Sequence, residues 1–380
     1  MKKFKSFKVL LTLMLALVLV GCNGNGDSSS DDSIVFGFMG PLTGDYSIYG
    51  TTTKEGIDLA LEEINASGGV LGKKLVLAPY DTKGDKTEAI NSYNRLRDND
   101  NMVALLGGTL SGDTLAIREI AIADGMPILT PTGTHLDITV NAPNILRACF
   151  TDPYQGETAA VFAGENLKAK DVAILYNTTD AYSEGLATSF ENKFKEYGEV
   201  LNVEGYSQSD SDFRSILTRI EANNPDAIYL PEYYSKAGQI LTQVRELGIE
   251  IPIIGPDGYD GIEEDYADVA EGVYFTNHFA KTDEAAIVKD FIENYSKKYG
   301  GSPTTFSALG YDSAYVMAEA IKNAGSTESS DLVNQLLKTE ITGVTGNFVF
   351  SENGDPQKSI SIIQIIDGQL VLIDKVTSKN

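Results

Sequence analysis

Residues 34–81, IVFGFMGPLTGDYSIYGTTTKEGIDLALEEINASGGVLGKKLVLAPYD, decide the fold class. A short β-rich run opens this stretch at 34–40, an amphipathic helical pattern follows at 51–67, and a second strand pattern closes it at 74–81. The helical pattern places four apolar residues on one face, namely Ile57, Ala60, Leu61 and Ile64. Because strands that alternate with helices form parallel sheets covered on both faces, the stretch predicts an α/β fold.

The strand and helix alternation runs twice along the chain. It continues through MVALLGG (102–108), a helix from Ser111 to Ala123 and PILTPT (127–132), and it restarts after NILRACF (144–150). The second run holds a helix from Gln155, a helix from Ser183 to Tyr197, and four strands: DVAILYN (171–177), VLNVEGYS (200–207), AIYLPEYY (227–234) and PIIGPDG (252–258). The repeat predicts two similar lobes with parallel sheets.

The C-terminal part adds helices without strands between them. We expect the helices in EAAIVKDFIENYSKKYG (284–300) and FSALGYDSAYVMAEAIKNAG (306–325) to return to the first lobe. Turn signals at Asn353-Gly354 and Asp367-Gly368 then predict closing strands. The resulting division is 34–151 plus 278–361 for lobe 1 and 152–277 plus 362–380 for lobe 2.

The N-terminus resembles a secretory signal with a lipoprotein cleavage site. Residues 1–22, MKKFKSFKVLLTLMLALVLVGC, place four lysines before an apolar run that ends in LVGC. A short transmembrane anchor is the alternative, but Gly21 before Cys22 and the polar NGNGDSSSDDS that follows favour cleavage. We therefore expect a signal peptide at 1–21, lipidation at Cys22 and a flexible tether over 22–33.

Composition limits the fold and the partners. With Cys22 lipidated, the exported domain keeps only Cys149 and has no internal disulfide. The remaining ~350 residues exceed what one hydrophobic core usually serves, which predicts two domains. Removing the four signal lysines changes the formal charge from -24 to -28. Such an acidic chain disfavours nucleic acids and anionic surfaces as partners.

Unexpected polar groups follow several of the predicted strands. In open parallel sheets, ligands bind outside the carboxyl ends of strands, where loops lead into helices. Ser111 stands at a predicted helix N-cap, where free N–H groups bind an anion. The turn of Thr132, Gly133 and Thr134 adds hydroxyl and backbone groups, and Gly133 permits a close approach to the backbone. Asp257, after another strand, suits a ligand ammonium.

Each of these residues also has a plain structural interpretation. Ser111 and Asp257 are candidates for helix caps, the Thr132–Thr134 stretch for a turn, and the loop tyrosines Tyr49, Tyr182 and Tyr233 for packing. Their convergence favours the functional interpretation. Donors for a carboxylate in one lobe, an acid in the other and aromatic walls around them describe an α-amino acid site.

The chain resembles the leucine/isoleucine/valine-binding protein family of ABC-transporter substrate-binding proteins, from Ile34 nearly to the C-terminus. The resemblance rests on seven collinear blocks: GPLTGDYSIYG (40–50), EGIDLALEEINASGGVLGKKL (55–75), ILTPTGT (128–134), YSEGLA (182–187), DFRSILTRIEANNPDAIYL (212–230), AGQILTQVRELG (237–248) and GPDG (255–258). It implies a type I periplasmic-binding-protein fold of two Rossmann-like lobes joined by a hinge. It also implies a binding protein with no cofactor and no catalytic residue.

The resemblance also implies roles for individual residues. Ser111 and Thr134 match the positions that hold the ligand carboxylate, Thr132 offers its carbonyl to the ammonium, and Asp257 pairs with that ammonium. Tyr182 and Tyr233 match positions on the second lobe, and three further residues match the side-chain pocket, namely Tyr49, Leu110 and Phe306. Gly84 and Leu110 occupy the places of a disulfide found in some members, so that bridge is absent.

The sequence is compatible to different degrees with three classes of function: a transport receptor, a sensor and an enzyme. A transport receptor would close around a free amino acid and dock, as a monomer, on an ABC permease with its ATPase subunits, while its lipid anchor holds it to the outer face of the cytoplasmic membrane. A sensor would use the same closure for signalling, although no signalling domain follows the binding module. An enzyme is disfavoured, since His135 and His278 are the only histidines and GxSxG, HExxH and CxxC are absent. The acids around Asp257 lack calcium-loop spacing, so no metal is expected.

Overall fold

The computed structural model describes residues 33–377. The predicted signal peptide at 1–21 and Cys22 lie outside the described residues, as does the predicted tether apart from Ser33, which is the first residue of strand β1. Among the described residues, no helix is both long enough and apolar enough to cross a membrane.

The first lobe is built on a five-stranded sheet with strand order β2-β1-β3-β4-β5. Its strands are β1 (Ser33–Gly40), β2 (Lys74–Asp81), β3 (Ala104–Gly107), β4 (Ile128–Thr130) and β5 (Ile145–Arg147). The β1/β3, β3/β4 and β4/β5 pairs are parallel. Every residue of β3, β4 and β5 is buried, because helices cover both faces of the sheet.

The second lobe contains a seven-stranded sheet with strand order β14-β13-β10-β9-β8-β6-β7. Its strands are β6 (Asp171–Asn177), β7 (Glu199–Tyr206), β8 (Ala227–Tyr229), β9 (Ile253–Gly255), β10 (Tyr274–Asn277), β13 (Ser359–Ile366) and β14 (Gln369–Thr377). The five strands β6–β10 pair in parallel, whereas β13 and β14 join antiparallel at one edge. Between β10 and β13 in sequence, β11 (Ile341–Gly343) and β12 (Gly346–Phe348) form a separate hairpin.

The helices alternate with the strands as the sequence predicts. They are α1 (Ser47–Ala66), α2 (Lys86–Asn99), α3 (Ser111–Asp124), α4 (Asp152–Val161), α5 (Ala181–Phe194), α6 (Arg214–Ala222), α7 (Tyr234–Glu246), α8 (Ile262–Ala270), α9 (Ala286–Tyr299), α10 (Thr305–Ala324) and α11 (Ser329–Leu336). Helix α4 begins three residues before the predicted start at Gln155, because the Thr151 hydroxyl accepts the Tyr154 N–H and Pro153 stands in the first turn.

Helices α9 and α10 pack against helix α1, which follows the first strand of the first sheet. Phe291 of α9 packs with Leu59 of α1 and Ala308 of α10 in one apolar cluster. Helices α1 and α10 cross so closely that a Cβ on Gly56 would lie 1.9 Å from the Ser307 carbonyl oxygen. The absence of a side chain at Gly56 therefore sets the separation of these two helices.

The closing strands are also confirmed at the predicted Asp367-Gly368 turn. Ile366 pairs with Gln369, and both turn residues have positive φ, 51° and 69°, as a tight two-residue hairpin requires. The Asn353-Gly354 signal marks a turn closed by a single bridge, Phe350 to Pro356, rather than a strand pair.

The chain passes between the two sheets three times. The crossings follow β5, β10 and β12, and the last one leads into β13. Strand β13 begins at Ser359, just before the crossing expected at residue 361, and belongs entirely to the second sheet. The first two crossings follow Arg147 and Asn277, the last residues of β5 and β10, and the division of the lobes after residues 151 and 277 stays a prediction. The two lobes thus share three connecting segments.

Candidate ligand-binding site

Ser111 is the first residue of α3 and does not cap the helix. The cap position is Leu110, and no side chain bonds the helix N-terminus there, so the prediction of Ser111 as N-cap is wrong. The Ser111 Oγ instead accepts the backbone N–H groups of Thr134 (3.2 Å) and His135 (3.3 Å). With its acceptor capacity used by two N–H groups, the hydroxyl keeps its proton for an acceptor in the cleft.

The turn after β4 presents Thr134 beside Ser111. Their hydroxyl oxygens lie 3.5 Å apart, and both side chains are buried. The Thr132 hydroxyl donates to the Thr109 carbonyl oxygen (2.5 Å), which leaves the Thr132 side chain facing its own lobe. The two hydroxyls of Ser111 and Thr134 form a pair of donors suited to one carboxylate.

Gly133 is held in this turn by contacts with other residues of the chain. Its N–H donates to the Thr130 hydroxyl (2.9 Å), and its carbonyl accepts from Arg147 Nη1 (2.8 Å) and Cys149 Sγ (3.3 Å). A Cβ at this position would lie 2.7 Å from Thr130 Oγ1. The close approach expected at Gly133 is therefore made by Thr130.

Asp257 lies in the second lobe, in a single 3₁₀ turn after β9. Its side chain is buried, and its Oδ1 accepts the Tyr182 hydroxyl (2.6 Å) while its Oδ2 lies 3.0 Å from His278 Nε2. The Gln155 Oε1 accepts the Asp257 N–H (2.7 Å) and holds the loop from α4. Burial lowers the pKa of His278, so the imidazole donates to the carboxylate as a neutral group at pH 7.

Aromatic side chains from both lobes meet around these groups. The Tyr182 and Tyr233 rings stack at 4.8 Å, and the Tyr49 ring lies 5.3 Å from Tyr233 and 4.7 Å from Phe306. The Tyr49 hydroxyl donates to the Gly258 carbonyl (2.7 Å) and accepts the Tyr234 N–H (2.8 Å). Tyr49 thus belongs to the first lobe by sequence and binds the second lobe with both its donor and its acceptor.

Leu110 lies at the edge of this aromatic cluster. A cavity of about 180 Å³ is lined by Leu110, Gly84 and Tyr46 from the first lobe and by Tyr233 and Asn177 from the second, among others. A larger cavity of about 340 Å³, next to Pro143 and Glu352, is lined by none of the ten predicted site residues. The cleft cavity is therefore the one that belongs to the candidate site.

The sequence did not identify four residues that support the site. Arg147 and Gln155 bond the Gly133 turn and the Asp257 loop, His278 bonds the Asp257 carboxylate, and Asp152 donates its N–H to the Thr134 carbonyl (2.9 Å). Each of the four is a polar side chain with at most 4% exposure. The available signals were the charge within NILRACF and the polar residues of TDPYQ, neither of which has a spacing that indicates a role.

No group of three or more His, Cys, Asp or Glu side chains able to hold a metal ion occurs within residues 33–377. The described site offers groups for polar recognition. Hydroxyl donors stand on the first lobe, a carboxylate stands on the second, and the walls are aromatic and apolar.

A family model identifies the class of protein to which this chain belongs. The chain belongs to the periplasmic binding protein family, whose model matches residues 33–369. As a member of this family of solute-binding proteins, it has the two-lobed type I fold and is not an enzyme.

The chain is also similar to proteins whose names refer to leucine, isoleucine and valine or to branched-chain amino acids. The Leu/Ile/Val-binding protein BraC3 of Rhizobium johnstonii is 32% identical over 348 residues, which are 89% of this chain and 93% of that protein. The leucine-binding protein LivK of Thermotoga maritima has 35% identity and a TM-score of 0.86, with 90% of this chain and 99% of that chain covered. The branched-chain amino acid transporter substrate-binding protein LivJ of Streptococcus pneumoniae, solved with isoleucine, has 32% identity and a TM-score of 0.86, with 92% and 100% covered.

Proposed function

We propose that this protein captures an α-amino acid, branched-chain or otherwise apolar, between its lobes and delivers it to an ABC importer. The observation that supports this most directly is the arrangement of the paired Ser111 and Thr134 hydroxyls on one lobe and the buried Asp257 carboxylate on the other. An α-amino acid zwitterion carries its carboxylate and its ammonium group on the same carbon atom. Opposite lobes supply the complementary groups, so the ligand stabilises the closed arrangement.

The relatives support the same ligand class. LivJ was solved with isoleucine, and a Pseudomonas aeruginosa relative with 28% identity is named as a leucine-, isoleucine-, valine-, threonine- and alanine-binding protein. The cavity beside Leu110 is bordered by apolar and aromatic groups but also by Asn177 and Thr179. We therefore place an aliphatic side chain against Leu110 and Phe306, with room for a small polar group at the rim.

The site residues stay the ten expected from the sequence, with roles adjusted to their contacts. Ser111, Thr134 and Asp257 bind the charged groups of the ligand, and the Thr132 carbonyl is directed to its ammonium. The aromatic and apolar walls are Tyr49, Leu110, Tyr182, Tyr233 and Phe306, and Gly133 shapes the turn. The three chain crossings act as the hinge on which the lobes close.

We also propose that the protein is an exported lipoprotein. Cleavage after residue 21 and acylation of Cys22 would tether a monomer to the outer face of the cytoplasmic membrane, near the permease and its ATPase subunits. The extracytoplasmic family of the chain supports export. Mass spectrometry of the membrane-extracted N-terminal peptide tests the anchor, because an unmodified Cys22 contradicts it.

A thermal-shift screen tests the ligand proposal. Ligand at 100 times its dissociation constant stabilises the folded state by about 2.7 kcal/mol. We expect leucine, isoleucine or valine to raise the melting temperature, and we expect sugars and benzoate, which lack the ammonium, to leave it unchanged. A shift with sugars alone, or with none of the twenty amino acids, contradicts the proposal.

A further inference from the structure

The loop that follows β9 is bonded to the start of helix α10. The Asp260 carboxylate in this loop is 1% exposed and accepts the backbone N–H of Thr305, the first residue of α10. Strand β9 belongs to the second sheet. Helix α10 packs on the first sheet, because Leu309 and Met317 lie in one apolar cluster with Phe38 of β1. The hydrogen bond therefore joins an element of the first sheet to a loop of the second.

The Thr305 N–H has no acceptor within its own helix. The first N–H groups of an α-helix lack intrahelical partners, and the Thr304 hydroxyl at this end accepts the Ser307 N–H (3.3 Å) instead. Burial raises the pKa of Asp260 from 3.8 to about 6, although the charge of Lys281 lowers it, so the carboxylate is mostly ionised at pH 7.5. A negative charge at a helix N-terminus is stabilised by the N–H group and by the helix dipole.

Both partners of this hydrogen bond adjoin residues of the candidate site. Asp260 follows the 3₁₀ turn that begins at Asp257, and its N–H donates to the Asp257 carbonyl (3.1 Å). Phe306, a wall of the cleft, comes directly after Thr305. A shift of the Asp260 carboxylate relative to the Thr305 N–H therefore moves Asp257 and Phe306 relative to each other.

We propose that Asp260 is a positioning residue, which latches the Asp257 loop to the start of α10 when the lobes close around a ligand. This inference rests on the proposed function and adds to it how the closed arrangement is retained. The partner of Asp260 is a backbone group of the protein, so the latch stabilises closure to the same extent for every solute. Its loss therefore appears in the rate at which the lobes open and release the ligand.

Stopped-flow tyrosine fluorescence at pH 7.5 tests the latch with leucine, isoleucine and valine. We expect Asp260→Ala to raise the dissociation rate constant of all three by the same factor, about 10-fold, and to change the association rate constant little. Asp260→Asn keeps an acceptor and removes the charge, so its dissociation rate constants should lie between those of wild type and Asp260→Ala. Factors that differ among the three ligands, or a change in the association rate constant alone, would overturn the proposal.

Thr305→Pro removes the donor of the same hydrogen bond. Proline is favoured at the first position of a helix and has no N–H, so α10 is kept while the dissociation rate constant rises. Adding Asp260→Ala should raise it no further than the more affected single variant, since both changes remove one bond, and additive effects would contradict the latch. Thr305→Val is the matched control. Among residues 33–377 the Thr305 hydroxyl has no hydrogen-bond partner, so this change should leave ligand release as in wild type.

Hydrogen exchange at the Thr305 amide distinguishes a failure of the latch from a failure of the proposed function, because it needs no ligand. We expect faster exchange of this amide in Asp260→Ala than in wild type, since the helix offers it no other acceptor. An unchanged exchange rate would overturn the role of Asp260 while the proposed function stands. If wild type binds no amino acid, the proposed function fails, and the exchange rates still decide whether Asp260 holds the start of α10.

Discussion

At the residue scale, the Thr134 turn depends on Arg147. The Arg147 side chain is fully buried and donates to the carbonyls of Gly133 (2.8 Å) and His135 (3.0 Å) and to the Asp355 carboxylate (2.6 Å). The guanidinium presents five donors in a fixed plane, so one side chain holds two turns that are distant in sequence. A lone arginine inside an apolar strand gives no spacing signal, which is why the sequence did not indicate this role.

Replacing Arg147 with methionine should destabilise the protein strongly. The change leaves the Gly133 carbonyl and the Asp355 carboxylate without their main donor, and breaking a buried pair costs about 3–5 kcal/mol. Urea denaturation measures the loss. Arg219→Met, which removes an exposed pair with Glu204, should change stability by no more than about 1 kcal/mol. Equal effects of the two substitutions would contradict the role of Arg147.

Asp257→Ala should weaken amino acid binding by about 2–5 kcal/mol, because the ligand charge loses a buried partner. Ser111→Ala should cost less, about 1–3 kcal/mol, since the backbone N–H groups of Thr134 and His135 remain. Calorimetric titration measures both. Glu264→Ala, an exposed acid from the same sequence cluster, is the control and should leave the affinity unchanged. Unchanged affinity in Asp257→Ala would remove this residue from the site.

At the scale of the elements, periodicity predicted most of the helices and strands but not how closely they pack. The short strands β4, β8 and β9 were recognisable because each is an apolar run followed by polar residues. The hairpin of β11 and β12 was missed, since its three-residue strands have little side-chain alternation. The α1/α10 crossing was also not predictable, because the contact at Gly56 is with the backbone at Ser307, distant in sequence.

Gly56→Ala should destabilise the first lobe by about 1–3 kcal/mol or more, because the added methyl group overlaps the Ser307 carbonyl and the two helices must separate. Thermal unfolding followed by circular dichroism detects the change. A matched substitution, Gly301→Ala, adds a methyl group where no atom lies within 4 Å. We expect no loss of stability there, and a similar loss at both positions would argue against the tight helix crossing.

At the scale of the whole molecule, buried acids link stability to pH. Burial raises the pKa of Glu232 from 4.5 to about 7 and that of Asp113 from 3.8 to about 7. The folded state therefore binds more protons than the unfolded state between about pH 4 and pH 7. The stability from these two groups is fully present below their unfolded pKa values and is lost as pH rises through the folded values.

The ligand-free protein should accordingly become less stable from about pH 4 to about pH 7, and its stability should level off above that pH. Each such group contributes a slope of up to about 1.4 kcal/mol per pH unit within its window. Glu232→Gln should flatten the profile, whereas Glu246→Gln, at an exposed ion pair, should not. Denaturant midpoints collected across this range provide the measurement, and a profile that rises toward pH 8 would show that other groups dominate.

The hydrogen bonds of the Tyr49 hydroxyl affect how tightly any solute is held, but not which solute is preferred. From the first lobe, its hydroxyl bonds the Gly258 carbonyl and the Tyr234 N–H of the second lobe, two backbone groups that a solute does not need to contact. Every such bridge favours closure for all solutes alike, so removing the hydroxyl alone, as in Tyr49→Phe, would change how long a solute is retained, while the ring at this position and the other walls of the cleft keep the preference among solutes.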